Sequence, residues 1–350
     1  MIFYLISSKL QCYFEFWNDI NHVHIAWFRK KLTKFNNLQT LLNQWVKLPD
    51  KCHSFKKRHQ LSLKQMNRNM RKVLVPTDFS ENALNAIKYA CQIFKYEKSE
   101  FFIVHTFADE VYRRDVDNDR SLLNELKETI FQKSEEELQR VQHAITAYSP
   151  NPKHNYNYIS AFGTLVDEVN DIVNKEHMDI VVMATRGQTN DRSITFGSNT
   201  LQVLKYVDCP VLAIPENYAY HPPKEVLFPT NYLLPYKRRE LKLLSDMTES
   251  FRSIIHLLYI DPIKRLSLRQ EDNQEFLRQC LRKNKLVFET TPEKDKTIAI
   301  SKYIVHKKID MLVIVNSRHS YIEDMLYQST IDKLGLHVKI PFLVMQNLSR

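Results

Sequence analysis

The chain contains no CxxC pair, no apolar run long enough to span a membrane, and no basic segment leading into an apolar one at its start. Each absence removes a class. Five cysteines, at 12, 52, 91, 209 and 280, lie far apart, which argues against a zinc site or a disulfide framework and for a reducing, cytoplasmic setting. Without about 20 consecutive apolar residues no spanning helix forms, so no integral membrane contact is expected. Met1-Ile2-Phe3-Tyr4-Leu5-Ile6 is too short for the apolar core of a signal peptide. Charged residues make up 26% of the 350, an ordinary share that does not suit wholesale disorder.

A net charge of +10 would fit a nucleic-acid binder, but its distribution does not. Residues 1–69 hold twelve Lys/Arg and three Asp/Glu, which leaves 38 against 37 in the other 281. No nucleic-acid partner is expected. The same 69 residues hold all three tryptophans (Trp17, Trp27, Trp45), no glycine, and the run Lys56-Lys57-Arg58-His59. They show no strand–helix alternation. Two readings stay open. One is a basic, aromatic extension that docks on a membrane surface or a partner. The other, which the composition favours, is a start assigned too far upstream, since Met66 and Met70 both precede the first core strand.

From Lys72 the pattern changes. Val73-Leu74-Val75 reads as a buried strand ended by Pro76-Thr77-Asp78-Phe79-Ser80, with Ser80 as helix N-cap and Glu81 in the first turn. Ala83, Ile87, Ala90 and Ile93 give one helix face, on which Cys91 is packing. Phe101–Val104 is the second strand, leading to His105-Thr106. A charged amphipathic helix follows from about Ser121 to Ala147. Tyr156–Ile159 is the third strand, and Val166, Val169 and Ile172 mark the third helix. Such alternation implies a parallel sheet with right-handed crossovers.

The most informative stretch is Met183–Pro215. The buried strand Ile180–Ala184 runs into a polar loop containing Gly187, a helix begins at Gly197-Ser198, and Cys209-Pro210 introduces the strand Val211–Ile214. A helix start carries free N–H groups and the positive end of the macrodipole, which attract phosphate. Gly197 permits close approach, while Ser198 and Thr200 offer hydroxyl donors.

This stretch resembles the nucleotide loop of the universal stress protein family, G-x2-G-x9-G-[ST]. Gly187 matches the second glycine and Gly197-Ser198 the third with its hydroxyl; Ala184 stands at the first. After Pro215 the pattern restarts. Glu225–Asn231 repeats Lys72–Asp78, a helix runs from Tyr236 to about Phe251, and Ile254–Ile260 repeats the second strand. Asp310–Asn316 repeats Asp179–Ala184, and Ile340–Val344 repeats Cys209–Ala213. This is a tandem duplication linked near Asn217–Pro223, with one domain at 70–217 and a second, degenerate one at 222–350. The resemblance implies two doubly wound five-stranded parallel sheets, adenine nucleotide alpha hydrolase-like, of strand order 3-2-1-4-5.

Ligands of such sheets bind beyond the carboxyl ends of the strands. By resemblance, the Pro76-Thr77-Asp78 turn and the backbone near Thr106 hold an adenine. Met183 and Ala184 line the ribose. Gly187 with Gly197, Ser198 and Asn199 cradles phosphates, and Thr200 at the helix start offers a further hydroxyl. Read from the residues themselves, Arg186 and Arg192 suit phosphate oxygens, with a solvated basic loop as the alternative, equally open for Arg192. The implied cofactor is ATP, with or without Mg²⁺. His105 reads as a structural histidine, and Asp109, Glu110, Asp115 and Asp117 as exposed acids rather than a metal set. The second repeat has Asn231 for Asp78, and His319, Ser329 and Thr330 where the loop's second glycine, third glycine and hydroxyl would stand. The expected function is a stress-response regulator that binds nucleotide in its first repeat without dedicated catalysis. Alternatives are a slow ATPase, a nucleotidyl- or phosphotransferase of related fold, and an interaction scaffold that binds no nucleotide. A homo-oligomer or an intrachain pseudo-dimer fits either repeat arrangement.

Overall fold

A computed structural model describes residues 70–114, 120–187, 197–233, 236–261, 265–316 and 339–346. All belong to one compact unit, Arg68–Arg350. The first repeat runs β1 (Arg71–Pro76), α1 (Glu81–Ile93), β2 (Ser99–Thr106), α2 (Ala108–Tyr112), α3 (Arg120–Tyr148), β3 (His154–Ala161), α4 (Leu165–Glu176), β4 (Ile180–Ala184), α5 (Ser198–Tyr206) and β5 (Val211–Ile214). The second runs β6 (Glu225–Thr230), α6 (Arg238–Glu249), β7 (Ile254–Ile260), α7 (Leu268–Cys280), β8 (Lys285–Thr291), α8 (Lys296–Lys307), β9 (Met311–Asn316) and β10 (Phe342–Gln346).

Both halves have the expected order, but they do not form separate sheets. A single ten-stranded sheet runs β3-β2-β1-β4-β5-β10-β9-β6-β7-β8. Its strands are parallel within each half, and the halves meet at an antiparallel pair in which Phe342 faces Ala213, Leu343 faces Leu212 and Val344 faces Val211. All six side chains are fully buried, as strands covered on both faces require. One face is packed by α1, α3, α6 and α7, with Ile87, Leu138, Leu244 and Leu277 in its core. The other is packed by α4, α5 and α8 through Val169, Val203 and Ile300.

Polar contacts reinforce the joint. Asn316 Nδ2 donates to Gln346 Oε1 (2.8 Å), and Gln346 Nε2 donates to Leu204 O at the end of α5 (2.9 Å). The linker lies on α1, where Asn85 Nδ2 donates to Tyr218 O (3.1 Å) and Tyr220 packs edge-on against Tyr89.

Sequence periodicity placed most elements within two residues. Ser80 caps α1 as expected, its hydroxyl accepting from Ala83 N. The third strand is longer than Tyr156–Ile159 by two residues at each end. The short α2, and α7, β8 and α8 of the second repeat, were not located from the sequence.

Candidate functional site

The order 3-2-1-4-5 places a switch point between β1 and β4, which pair directly through Val73–Ile180 and Leu74–Val181. Loops leaving the carboxyl ends of two such strands diverge and open a crevice. In repeat one the loop after β1 is tightly built. Thr77 N donates to Val104 O (2.8 Å), tying the turn to β2. Thr77 Oγ1 accepts from Phe79 N (3.1 Å), and Asp78 Oδ1 accepts from Ser80 N (3.1 Å) and Ser80 Oγ (2.6 Å). These bonds hold Phe79 at φ 61°, a left-handed conformation that non-glycine residues adopt uncommonly.

The other oxygen of Asp78 faces the loop after β4. A β-carbon added to Gly187 would lie 2.3 Å from Asp78 Oδ2. Only glycine lets the loop backbone sit this close to the carboxylate, so residues 109 positions apart in sequence meet at the switch point. Gly197 differs. Its φ of −64° and ψ of 157° suit any residue, and a β-carbon there would meet Arg186 Cα and Thr185 O at an ordinary 3.7 Å. What its lack of a side chain leaves open is the start of α5, which has no side-chain cap. Ser198 and Asn199 in that first turn are exposed.

Other expected site residues take different roles. Thr200 is buried and its hydroxyl donates to Ala184 O (2.9 Å). This corrects the reading of Thr200 as a phosphate donor: a hydroxyl has one proton to give, and here it ties α5 to the end of β4. Met183 and Ala184 are 6% and 8% exposed and sit in the cores of opposite sheet faces. The Ala184 and Met183 side chains therefore point into packing. Arg186 is 13% exposed and its Nη1 lies 3.4 Å from Glu216 Oε2. Pro76 is buried, and Thr106 ends β2 half-buried beside Ala161. Arg192 lies outside the described residues, as do Asp115, Asp117, His319, Ser329 and Thr330. Among the described residues no three His, Cys, Asp or Glu side chains cluster as metal ligands would.

His105 is anchored rather than poised. Its Nδ1 lies 2.8 Å from Ser134 Oγ, which also accepts from Ser160 Oγ (2.7 Å). Its ring packs 4.4 Å from that of Phe79. Burial lowers its pKa, with Glu110 and Asp78 opposing in part. Cys91 is fully buried and burial pushes its thiol up to about 11, which makes it inert. Two contributors escaped sequence reasoning. Glu216 is brought to Arg186 only by the pairing of β4 with β5, and Phe79 reveals its role only through its φ and its contact with His105.

Repeat two keeps the turn and ties its carbonyls to α7. Tyr232 takes φ 56° and donates its N–H to Thr230 Oγ1 (2.9 Å), while Asn231 Oδ1 accepts from Leu233 N (2.9 Å). Gln270 Nε2, from α7, donates to Asn231 O (2.9 Å) and to Tyr259 Oη (3.2 Å). Asn273 Nδ2 donates to Tyr232 O (2.6 Å).

An α/β half-sheet of this order, with Asp78 and Gly187 meeting at its switch point, is a doubly wound fold. Residues 69–215 match the model of the universal stress protein family. A universal stress protein of Methanocaldococcus jannaschii is 28% identical over 159 residues, covering 41% of this chain and 94% of that protein. A second from the same organism is 26% identical over 145 residues, covering 41% and 81%. A universal stress protein of Archaeoglobus fulgidus, solved by crystallography, aligns with 79% of this chain and 98% of its own at 17% identity and a TM-score of 0.54. That alignment is long enough to take in both repeats and shows the shared fold. Among the described residues no helix is long and apolar enough to cross a membrane.

Proposed function

We propose that repeat one binds an adenine nucleotide, ATP foremost, and that the protein acts as a ligand-dependent regulator rather than a dedicated catalyst. The observation that carries this reading is the meeting of Asp78 and Gly187 beside the uncapped start of α5. A carboxylate suits an adenine amino group. A loop backbone unobstructed by a β-carbon, next to exposed N–H groups of a helix start, suits phosphate. Mg²⁺ would arrive on the nucleotide's phosphates. The match of residues 69–215 to the universal stress protein family supports the same reading.

Phosphoryl transfer needs an oriented nucleophile or base beside the phosphates. His105 is half-buried and held against Ser134, and Arg186 is a cation, so neither supplies one. The test is calorimetric titration of the full chain with ATP, followed by a turnover assay. Saturable binding with hydrolysis far below the roughly 1–100 s⁻¹ of kinases is expected. Turnover in that range that is lost in Asp78→Ala would make the protein an enzyme; absence of binding would make it a scaffold.

A further inference from the structure

Among the described residues, the mouth of repeat one is bordered by two carboxylates and one guanidinium. Asp78 lies against Gly187. Arg186, the preceding residue, has its Cα 3.7 Å from where a β-carbon on Gly197 would sit, so the guanidinium is rooted beside the start of α5. Its Nη1 faces Glu216 Oε2 at 3.4 Å, with the two side chains 13% and 31% exposed. The pairing is imposed by the sheet: β4 and β5 run in register to Ala184–Ile214, and Thr185 N donates to Ile214 O (2.8 Å). Arg186 and Glu216 thus leave adjacent strand ends two residues beyond the last pair.

We infer that Glu216 restrains this site's hold on polyphosphates: it pairs with Arg186, and a ligand that takes the guanidinium must displace it. This rests on the proposal that repeat one binds an adenine nucleotide. A partly exposed ion pair is weak. An Arg–phosphate contact is charge-assisted, can be bidentate, and strengthens with phosphate charge. A triphosphate can therefore win the exchange, whereas adenosine has nothing to offer Arg186. The site as built therefore discriminates by phosphate charge and yields its ligand readily.

The test compares ATP with adenosine in full-length wild type, Glu216→Gln, Arg186→Gln and the double variant, by calorimetry, with circular dichroism melts to confirm folding. Glu216→Gln should tighten ATP about fivefold and leave adenosine within twofold. Arg186→Gln should weaken ATP about tenfold, and in its background Glu216→Gln should bring no gain, because the two residues act through one interaction. If Glu216→Gln leaves the ATP-to-adenosine ratio of a binding-competent protein unchanged, the inference fails while the nucleotide site stands. A gain that persists without Arg186 would mean simple charge removal, and also overturns it. If folded wild type and Glu216→Gln bind neither ligand, the nucleotide site itself is wrong and the inference falls with it.

Discussion

The two repeats are built alike where they meet the core and differently where they meet solvent at the strand ends. In each, the residue before β4 or its counterpart β9 reaches back to the first strand: Asp179 Oδ2 accepts from Lys72 N (3.0 Å), and Asp310 Oδ2 accepts from Glu225 N (2.9 Å). In each, the preceding helix ends on a left-handed residue, His177 at φ 56° and Lys308 at φ 54°. Each places an aromatic residue at positive φ after a threonine whose hydroxyl accepts its N–H. Yet repeat one leaves Asp78 against a glycine, whereas repeat two covers the same turn with Gln270 and Asn273. The lesson is that packing and backbone hydrogen bonds preserve a scaffold while the contacts at its strand ends differ, because the two sets of residues are separate.

The largest expected effect breaks the joint between the repeats. Leu343 is fully buried in the antiparallel pair, so Leu343→Asp buries an unpaired carboxylate and should cost more than about 3 kcal/mol. Urea unfolding should show both halves weakened, since they share one sheet. A repeat-one transition left unmoved would mean that the halves fold independently.

Next comes the ligand edge. Gly197→Val should lower ATP affinity by about a hundredfold or more, through loss of several charge-assisted contacts of about 1.5–3 kcal/mol each. The fold should hold, because a β-carbon at 197 meets nothing closer than 3.7 Å. Asn231→Ala, at the matching turn of repeat two, should leave ATP binding unchanged. Equal losses from both variants would erase the distinction between the repeats.

The repeats should also respond differently to pH. Among its buried residues α1 has no carboxyl, but α6 buries Glu240, whose pKa is pushed up from 4.5 to about 7 by burial, opposed by Lys237 and Arg239. Below pH 4.5 the group is neutral in both folded and unfolded chains and costs nothing. As pH rises from 4.5 towards 7 the unfolded chain ionises first, so stability falls, and it levels off above 7. Glu240→Gln should remove this fall and stabilise the protein at pH 8 by on the order of 2 kcal/mol. An unchanged pH profile of the thermal midpoint would contradict the assignment.

The smallest effect separates holding a site from touching its ligand. Thr200→Val removes the bond to Ala184 O and should cost about 1 kcal/mol of stability, with ATP affinity changed less than about threefold. A tenfold loss of affinity at unchanged stability would restore Thr200 as a phosphate donor.

Strand–helix alternation made repeat one legible because its strands are short apolar runs between polar turns. In repeat two the unread strand is β8, at the sheet edge, where no residue of Lys285–Thr291 is fully buried and the short apolar run Leu286-Val287-Phe288 stands between Lys285 and Glu289. The five-residue α2 is too short for helical periodicity to register. Asp78, Gly187 and Gly197 are named by the resemblance to the family, and of these the structure brings Asp78 against Gly187. The use of Thr200 was not legible, since a hydroxyl in a first helical turn looks the same whether it serves a ligand or the carbonyl of Ala184. The Arg186–Glu216 pair was hidden because 30 residues separate partners that only the β4–β5 register brings together.

The central claim is that one repeat binds and the other does not, and the number of nucleotides bound per chain tests it most directly. Titration of the full chain with ATP should saturate near one equivalent, and Asp78→Ala should abolish the signal. Losing several contacts at once in repeat two should weaken binding there by far more than the tenfold that about 1.4 kcal/mol represents. Saturation at two equivalents of similar affinity would show that repeat two still binds despite Asn231 and the covering side chains of α7, and would contradict the account.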